Sequence, residues 1–375
     1  MNNINNLKYL FLLSKINNLG NVRIRNILNK FPYDKSIFEA SINEIKFIEG
    51  INDNVAKDIL NFNKNKNKYS EEYKRMLDLC DKKKIKIITI LDEQYPVNLK
   101  NIYDAPVILY YKGKLFKEDA YSLSIVGTRY PSEYGKNACQ KFVNELSELK
   151  IPVISGMARG IDALSHKVCL DNGNITYAVL GSGVDVIYPP DNKNIYDMIS
   201  ENGAVISEFE IGAKPDKVNF PRRNRIISGI SLGTLIIETG LRGGSRITAE
   251  FALDQNKEIF AVPGYIYSKK SEGCNNMIKK GMAKLVENAD DIISELCYKL
   301  DGYADIGKKA YKEEKQTEMS LFERGIYDVL EYMPKHIDEI SFLSAFNISD
   351  CLVSLLSLEF KGLIRQMPGK YFIKI

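Results

Sequence analysis

From about residue 120 onward, short runs of apolar residues alternate with longer stretches in which apolar residues recur at helical spacing. The apolar runs are 122–127, 151–155, 175–181, 204–208, 234–239, 258–264 and a shorter one at 284–287. The helical stretches between them are 135–149, 161–170, 192–200, 221–230, 247–255 and 289–300. Uninterrupted apolar strands that alternate with helices are typical of a parallel sheet covered on both faces. The pattern predicts an α/β fold with a Rossmann-like sheet in a domain spanning residues 76–300, with two further strands at 85–90 and 107–111.

Residues 1–75 show only helical periodicity, which predicts a separate helical domain of the helix-hairpin-helix or SAM-like kind. Two stretches of it, INNLGNVRIRNIL and FIEGINDNVAKDIL, are alike: each has a glycine turn followed by an amphipathic helix. Such a turn allows a helix N-terminus to approach a DNA phosphate. Each stretch lacks the second glycine of a helix-hairpin-helix, so a simple helical packing module remains equally compatible.

The last part of the chain is predicted to be a charged linker, 301–318, followed by a winged-helix-like domain, 319–375. Three apolar helical stretches begin at Leu321, Ile337 and Ser349, and two short strands flank a Pro-Gly turn after them. In winged helices that read DNA the third helix is basic. Here it carries Asp350 and Glu359 against one lysine, Lys361, which favours a protein-contact role.

Composition narrows the function classes. A net charge of +4 over 375 residues is too small to indicate a general nucleic-acid binder, so any basic site must be a local cluster. The six cysteines are scattered and the only histidines are His166 and His336, so we predict no metal site and no disulfide framework. With neither a signal-peptide pattern nor an apolar run long enough to span a bilayer, we predict a cytoplasmic protein without membrane contact.

Four glycine-rich loops lie where predicted strands lead into helices. Exposed amides and helix N-termini of this kind favour phosphate, and the carboxyl ends of parallel strands meet at one crevice. No loop has the G-x-G-x-x-G or P-loop spacing, so we predict no nucleotide cofactor. Ser245 or Thr248 would cap the following helix. The candidate phosphate-binding residues are Gly127, Thr128, Gly156, Gly160, Gly181, Gly183, Gly243, Gly244, Ser245 and Thr248.

The stretch NFPRRNRIISGIS places three arginines beside an aromatic residue at a predicted helix start. Pro221 suits the first turn, and cations there oppose the helix dipole, which indicates a polyanionic partner. Arginines on phosphates and a ring that stacks on a base grip single strands without reading sequence. The alternative is a set of ion pairs with Glu208, Glu210 or Asp216. The candidates are Phe220, Arg222, Arg223 and Arg225.

Other polar residues carry weaker signals. Arg129 follows the first strand of the regular alternation and is either a DNA contact or a structural salt bridge. His166 is predicted to be a hydrogen-bonded histidine without a catalytic role. Glu238 and Glu250 are possible general bases, although capping or ion pairing with Arg242 or Arg246 explains them better.

Eight motifs between about residues 120 and 293 resemble, in their order and spacing, the DNA-processing protein family DprA, also called Smf. They are SIVGTR, SGMARGIDALSH, GSGVDVIYPPDN, ISEF, FPRRNRIISGIS, GGSRITAEFALDQNKEIFAVPG, CNNMIKKGMAKLV and DDII. The chain departs from the usual family pattern at Arg246, Cys274 and Met282. The helical N-terminus and the winged-helix-like C-terminus fit the usual layout of the family.

The resemblance implies an extended Rossmann fold, a homodimer, cooperative binding of single-stranded DNA without catalysis, and loading of the recombinase RecA onto incoming DNA during natural transformation. Carried over by motif, the implied DNA contacts are Arg129, Arg159, Phe220, Arg222, Arg223 and Arg225, with Lys193 as a weaker candidate.

Two other functions remain open. GGSRITAE loosely resembles the phosphate-and-glutamate motif of nucleotide-hydrolysing, lysine-decarboxylase-like Rossmann enzymes, although its spacing is one residue longer and Arg242 stands where those enzymes have proline. The acidic winged-helix segment is also compatible with a protein-interaction scaffold.

Overall fold

The computed structural model describes residues 2–31, 37–63, 66–300, 319–331, 334–361 and 363–374. The chain forms two compact units, Met1–Ile306 and Gly307–Ile375. The predicted linker 301–318 lies outside the described residues, and the boundary near residue 75 stays a prediction.

The first unit begins with helices and then builds a large sheet. Its helices are α1 (Asn2–Ser14), α2 (Asn21–Lys30), α3 (Ile42–Lys46), α4 (Asp53–Asn63), α5 (Lys66–Lys82), α6 (Val97–Lys100), α7 (Glu133–Glu148), α8 (Ile161–Asp171), α9 (Lys193–Asn202), α10 (Asn219–Ile230), α11 (Ser245–Asp254), α12 (Glu272–Lys279) and α13 (Ala289–Leu296). Its strands are β1 (Lys86–Thr89), β2 (Ile108–Gly113), β3 (Leu123–Gly127), β4 (Val153–Ser155), β5 (Thr176–Val179), β6 (Ala204–Ser207), β7 (Gly233–Ile237), β8 (Glu258–Ala261) and β9 (Lys284–Leu285).

The nine strands lie in the order β1-β2-β6-β5-β4-β3-β7-β8-β9. Strands β3 to β9 pair in parallel, whereas β2 joins β6 and β1 joins β2 in antiparallel fashion. The chain moves outward from β3 to β6 on one side and from β7 to β9 on the other. The strand order therefore reverses between β3 and β7, which is where ligands bind in open α/β sheets. The predicted Rossmann-like fold is confirmed.

Two elements differ from the sequence-based expectation. Helix α10 begins at Asn219, two residues before Pro221. Proline is tolerated there because first-turn amides have no intrahelical acceptor, and the arginines consequently lie deeper in the helix than expected. Helix α12 was not predicted, because its eight residues, EGCNNMIK, are too few to show a clear apolar period.

The N-terminal helices and the sheet share one hydrophobic core. Leu10 and Leu13 of α1 and Ile27 of α2 are fully buried in the same cluster as Tyr177 and Ile206 of the sheet. A second cluster, around Phe142 of α7, fills the other face of the sheet. Both faces are thus covered, which explains why the central strands are apolar throughout.

The second unit has the element order of a winged helix. Its elements are α14 (Leu321–Val329), β10 (Lys335–His336), α15 (Ile337–Ser344), α16 (Ile348–Phe360), β11 (Ile364–Met367) and β12 (Tyr371–Lys374). The sheet order is β10-β12-β11, and the helices pack around Leu355 and Leu358. The predicted winged-helix order is confirmed. Across the described ranges, no single helix is both long and apolar enough to cross a membrane; α15 and α16 would reach that length only as a pair, which is bent by 104°.

Candidate nucleic-acid interface

The loops after β3 and β7 are tied together at the point where the strand order reverses. The Thr128 amide donates a hydrogen bond to the main-chain oxygen of Glu238 at 2.8 Å. The Glu238 carboxylate accepts hydrogen bonds from the amide of Ser132, at 2.8 Å, and from its hydroxyl. Glu238 is buried, so its role is to hold the start of α7, as the capping alternative predicts.

A cleft of about 620 Å³ opens between these two loops and continues into a smaller one of about 130 Å³ beside the loop after β4. Together they are called the crevice here. Both parts are lined by Arg129, Ala158, Tyr188, Phe220 and Arg223. The larger part also includes Gly127, Thr128, Lys217, Gly243, Gly244, Ser245 and Thr248, and the smaller part Gly156 and Arg159. Phe220 and Arg223 of α10 thus meet predicted residues of three strand-end loops at one sheet edge.

Phe220 lies half-buried on the wall of the crevice. Its ring packs against Gly181, where a β-carbon would lie 2.8 Å from the ring. The Tyr188 ring is its neighbour, with centroids 5.5 Å apart and planes tilted by 38°. Gly181 is therefore needed for the close approach of Phe220 and does not itself line the crevice.

The Arg223 side chain forms the floor of the crevice. It is 5% exposed and donates hydrogen bonds to the main-chain oxygens of Gly156, at 2.7 Å, and Val179. Burial lowers the pKa of Arg223 to about 10, so the guanidinium remains charged at neutral pH. Because Nη1 and Nε already donate to groups of the protein, Arg223 supplies positive potential beneath a ligand and fixes the shape of the floor.

Asp162, in the first turn of α8, is a buried carboxyl group on the same floor. Burial raises its pKa to about 6, against the opposing effect of the Arg223 charge, of hydrogen bonds from the backbone at Ala158 and Gly156, and of the Arg129 charge. At neutral pH the floor therefore holds a charged pair, whereas below pH 6 the arginine charge dominates.

The mouth of the crevice carries three exposed cations, on Arg129, Arg159 and Lys217. The Arg159 guanidinium pairs with the Asp191 carboxylate through an Nε–Oδ2 contact of 3.0 Å. Since that pair is solvent-exposed, it is weak enough to rearrange around a phosphate.

Three predicted DNA contacts lie elsewhere. Arg225 is 5% exposed on its side chain and bonds to Asp104, at 2.9 Å, and to Glu208. This is the ion-pair alternative, and the prediction that Arg225 contacts DNA in the crevice is corrected accordingly. Arg222 points to the other side of α10, 5.7 Å from the Phe209 ring centroid. Lys193 is exposed at the start of α9 and does not line the crevice.

Several predicted phosphate-binding amides are also committed within the protein. The amides of Thr128, Gly183 and Gly243 donate to the main-chain oxygens of Glu238, Ala213 and Gly240, respectively. Gly160 has φ 82°, and a β-carbon there would stand 2.3 Å from the Thr128 oxygen, so this glycine serves the turn. The crevice is therefore a basic surface more than a set of open amide nests.

The predicted caps and bases have structural roles. Ser245 does not cap α11, because Gly244 is the cap residue and the Ser245 hydroxyl donates to Thr239 Oγ1 at 2.8 Å. Oε1 of Glu250 lies 3.9 Å from Nη2 of Arg246, as the ion-pair alternative predicts. Within the described ranges, no three His, Cys, Asp or Glu side chains are grouped closely enough to hold a metal ion.

His166 is fully buried, as predicted for a hydrogen-bonded core histidine. Its Nδ1 lies 2.7 Å from Thr176 Oγ1. Burial and the nearby Arg223 charge lower its pKa to about 3, so the ring is neutral at physiological pH.

The crevice residues that sequence reasoning missed include two aromatic and two charged ones, Tyr130, Tyr188, Asp162 and Lys217. Tyr130 and Tyr188 are 72% and 42% exposed, unusually open for aromatic residues. Tyr130 stands in the stretch GTRYPSEYG, which follows β3, and Tyr188 stands in GSGVDVIYPPDN, which follows β5. An aromatic residue shortly after a predicted strand was thus the sequence signal for Tyr130 and Tyr188. Lys217 lies in a loop without a motif that would have indicated a site.

A family model described as DNA recombination-mediator protein A matches residues 86–297, and one described as the DprA winged helix domain matches residues 313–370. DNA processing protein DprA of Streptococcus pneumoniae is 42% identical over 207 residues, which cover 55% of this chain and 73% of that protein. Protein Smf of Escherichia coli is 35% identical over 281 residues, covering 74% of this chain and 75% of that protein.

Solved structures agree with these matches. The X-ray structure of DprA from Streptococcus pneumoniae has a TM-score of 0.66 and 34% identity, covering 77% of this chain and 97% of that one. DNA processing protein A from Helicobacter pylori, described as binding single-stranded DNA, has a TM-score of 0.51 and 28% identity, covering 57% of this chain and 96% of that one. Because the first family model spans more than half of this chain, the chain belongs to the DprA (Smf) family of DNA-processing proteins.

Proposed function

We propose that the protein binds single-stranded DNA in the crevice and performs no chemistry on it. The observation that carries this proposal is the convergence of exposed cations and aromatic rings at the strand-order reversal. Arg129, Arg159 and Lys217 surround the mouth, and Phe220 and Tyr188 stand beside them. Cations for phosphates and ring faces for bases are the two components of sequence-tolerant single-strand binding.

The salt dependence of binding tests this arrangement. With about four cations neutralising phosphates, log affinity for an oligothymidine should fall with log salt at a slope of roughly −3. Lys217→Ala should reduce the slope by about 0.7. Lys280→Ala, which removes an exposed lysine outside the crevice, is the matched control and should leave the slope unchanged. Salt-insensitive binding would refute the crevice as the DNA site.

We further propose that the bound strand is handed to the recombinase RecA and that the protein acts as a homodimer. Both proposals are supported by membership of a family described as recombination mediators. Light scattering measures the mass of the assembly. RecA filament formation on single-stranded DNA coated with a single-strand-binding protein, with and without this protein, measures loading. A monomer, or an unchanged filament rate, would contradict the respective proposal.

The winged-helix unit is proposed to contact protein instead of DNA. Helix α16 contains no lysine or arginine, and the lysine that follows it, Lys361, lies 2.7 Å from the Glu323 carboxylate. Val353 and Phe360 on α16 are 72% and 84% exposed, which is a surface that favours apolar partners. Deleting residues after 318 should leave the affinity for DNA unchanged and abolish recruitment of a partner. Partner recruitment that survives the deletion would remove the basis of this proposal.

A further inference from the structure

A second cleft, of about 550 Å³, lies between the N-terminal helices and α10, on the side of α10 that faces away from the crevice. It is called the α2 cleft here. Its charged lining has three arginines against two carboxylates, and Tyr103 stands at its edge with 80% of its surface exposed. The charged residues are Arg23, Arg222, Arg225, Glu49 and Asp104.

The N-terminus of α2 opens into this cleft. Its cap residue, Gly20, provides no side-chain cap, and no acidic residue stands in the first turn. The first intrahelical bond runs from the Ile24 amide to the Gly20 oxygen at 3.1 Å. The amides of the first turn before Ile24 therefore have no acceptor within the helix, and together with the helix dipole they favour an anion.

A second observation points to the same ligand. Arg225 lines the cleft although only 5% of its side chain is exposed. Its Nε and Nη2 are paired with Asp104 and Glu208, but its buried Nη1 has no hydrogen-bond partner among the described residues. A buried guanidinium N–H without an acceptor is unfavourable, and a shift of this side chain toward the cleft would let Nη1 donate to an anion bound there.

We propose that the α2 cleft is a second phosphate site for the same DNA strand, reached by a path that crosses α10. This inference rests on the proposed binding of single-stranded DNA in the crevice. The first turns of α10 serve both clefts, since Phe220 and Arg223 face the crevice whereas Arg222 and Arg225 face the α2 cleft. The exposed ring of Tyr103 provides a stacking surface for a base next to the bound phosphate.

A substitution at Gly20 tests the site without weakening the fold. Gly20 has φ −77° and ψ 171°, and a β-carbon there would meet no atom within 4 Å. Gly20→Asp adds a preferred N-cap residue, whose carboxylate takes the first-turn amides and repels a phosphate. Gly20→Ala leaves those amides open and is the matched control. Affinities are measured with two oligothymidines, the shortest that fills the crevice and a longer one.

Gly20→Asp should weaken binding of the longer oligothymidine about tenfold, equivalent to about 1.4 kcal/mol, and lower its salt slope by about 0.7. The affinity for the short oligothymidine should stay at the wild-type value, and Gly20→Ala should match the wild type with both. Equal affinities of Gly20→Asp and wild type for the longer strand, or the same loss with both lengths, would overturn the second site. Failure of the wild type to bind the short strand would instead refute the crevice.

Free phosphate is the other source of the same ligand chemistry, and calorimetry with inorganic phosphate distinguishes it. If wild type binds inorganic phosphate and Gly20→Asp does not, while both bind the longer strand equally, the cleft takes a free anion and the proposed strand path is wrong. Loss of both ligands in Gly20→Asp supports the strand path.

Discussion

The guanidinium group of Arg223 occupies the space in which a side chain at Gly156 would have to lie. A β-carbon at position 156 would stand 2.7–2.8 Å from three guanidinium atoms, and the same guanidinium donates to the Gly156 oxygen at 2.7 Å. The floor of the crevice thus depends on a loop residue without a side chain and on an arginine whose Nη1 and Nε donate to groups of the protein.

Gly156→Ala is expected to displace Arg223 and to destabilise the protein by about 1–3 kcal/mol, because overpacking and lost buried hydrogen bonds act together. Urea unfolding measures the stability, and binding of an oligothymidine should weaken in parallel. Gly20→Ala is the control, since its new β-carbon meets no neighbour. A wild-type unfolding midpoint for Gly156→Ala would contradict this role of the glycine.

Arg225→Met is expected to destabilise the protein by about 3–5 kcal/mol, because it leaves the buried Glu208 carboxylate without its partner. Adding Glu208→Gln should recover part of that loss. Arg222→Met, an exposed arginine on the same helix, should change stability little. Reversing the charge at positions 223 and 225 together is accordingly expected to unfold the protein, because both side chains are buried.

Phe220→Ala is expected to weaken single-strand binding by about 1–3 kcal/mol, the usual effect of losing one stacked base. The salt slope should not change, because no charge is removed. Phe220→Tyr keeps the ring and should bind nearly as well as the wild type, and Tyr265→Ala removes an exposed ring that does not line the crevice. Fluorescence anisotropy at several salt concentrations gives both quantities. A loss that appears only in the salt slope would argue against stacking.

Asp162 should make DNA binding depend on pH. Because its pKa is raised to about 6, it gains a proton between pH 7.5 and 5.5, and the crevice then loses a negative charge. Wild-type affinity should rise on acidification by roughly three- to tenfold. Asp162→Asn should bind more tightly at pH 7.5 and respond less to pH. Similar pH profiles of the two proteins would contradict this assignment.

The same carboxyl group should affect stability. An Asp in the unfolded chain has a pKa of about 3.9, whereas that of Asp162 in the folded protein is about 6. Between about pH 4 and pH 6 the folded state therefore binds more protons than the unfolded state. The free energy of unfolding from this group therefore falls as pH rises through that window. Urea unfolding measured across this pH window should show that the free energy of unfolding falls less steeply with pH in Asp162→Asn than in the wild type.

The strand–helix alternation was predictable because each central strand is buried on both faces and shows as an unbroken apolar run. Phe220 and Arg223 were found because they stand together in one stretch. The ion pair between Arg225 and Asp104 could not be predicted in the same way. Asp104 lies far from Arg225 in the sequence, and only folding brings the two side chains together. The same holds for the amides of Thr128 and Gly183. They donate to main-chain oxygens of other loops, which the sequence alone does not reveal.

The shared core of the N-terminal helices and the sheet limits how the chain can be divided. A fragment beginning at residue 76 would lack Leu10 and Ile27, which are buried in the same core as the sheet. The apolar side chains that these helices cover would then be exposed to water. Such a fragment would tend to aggregate instead of reporting what the sheet does alone. The N-terminal helices are therefore better studied by surface substitutions in the intact protein than by removal.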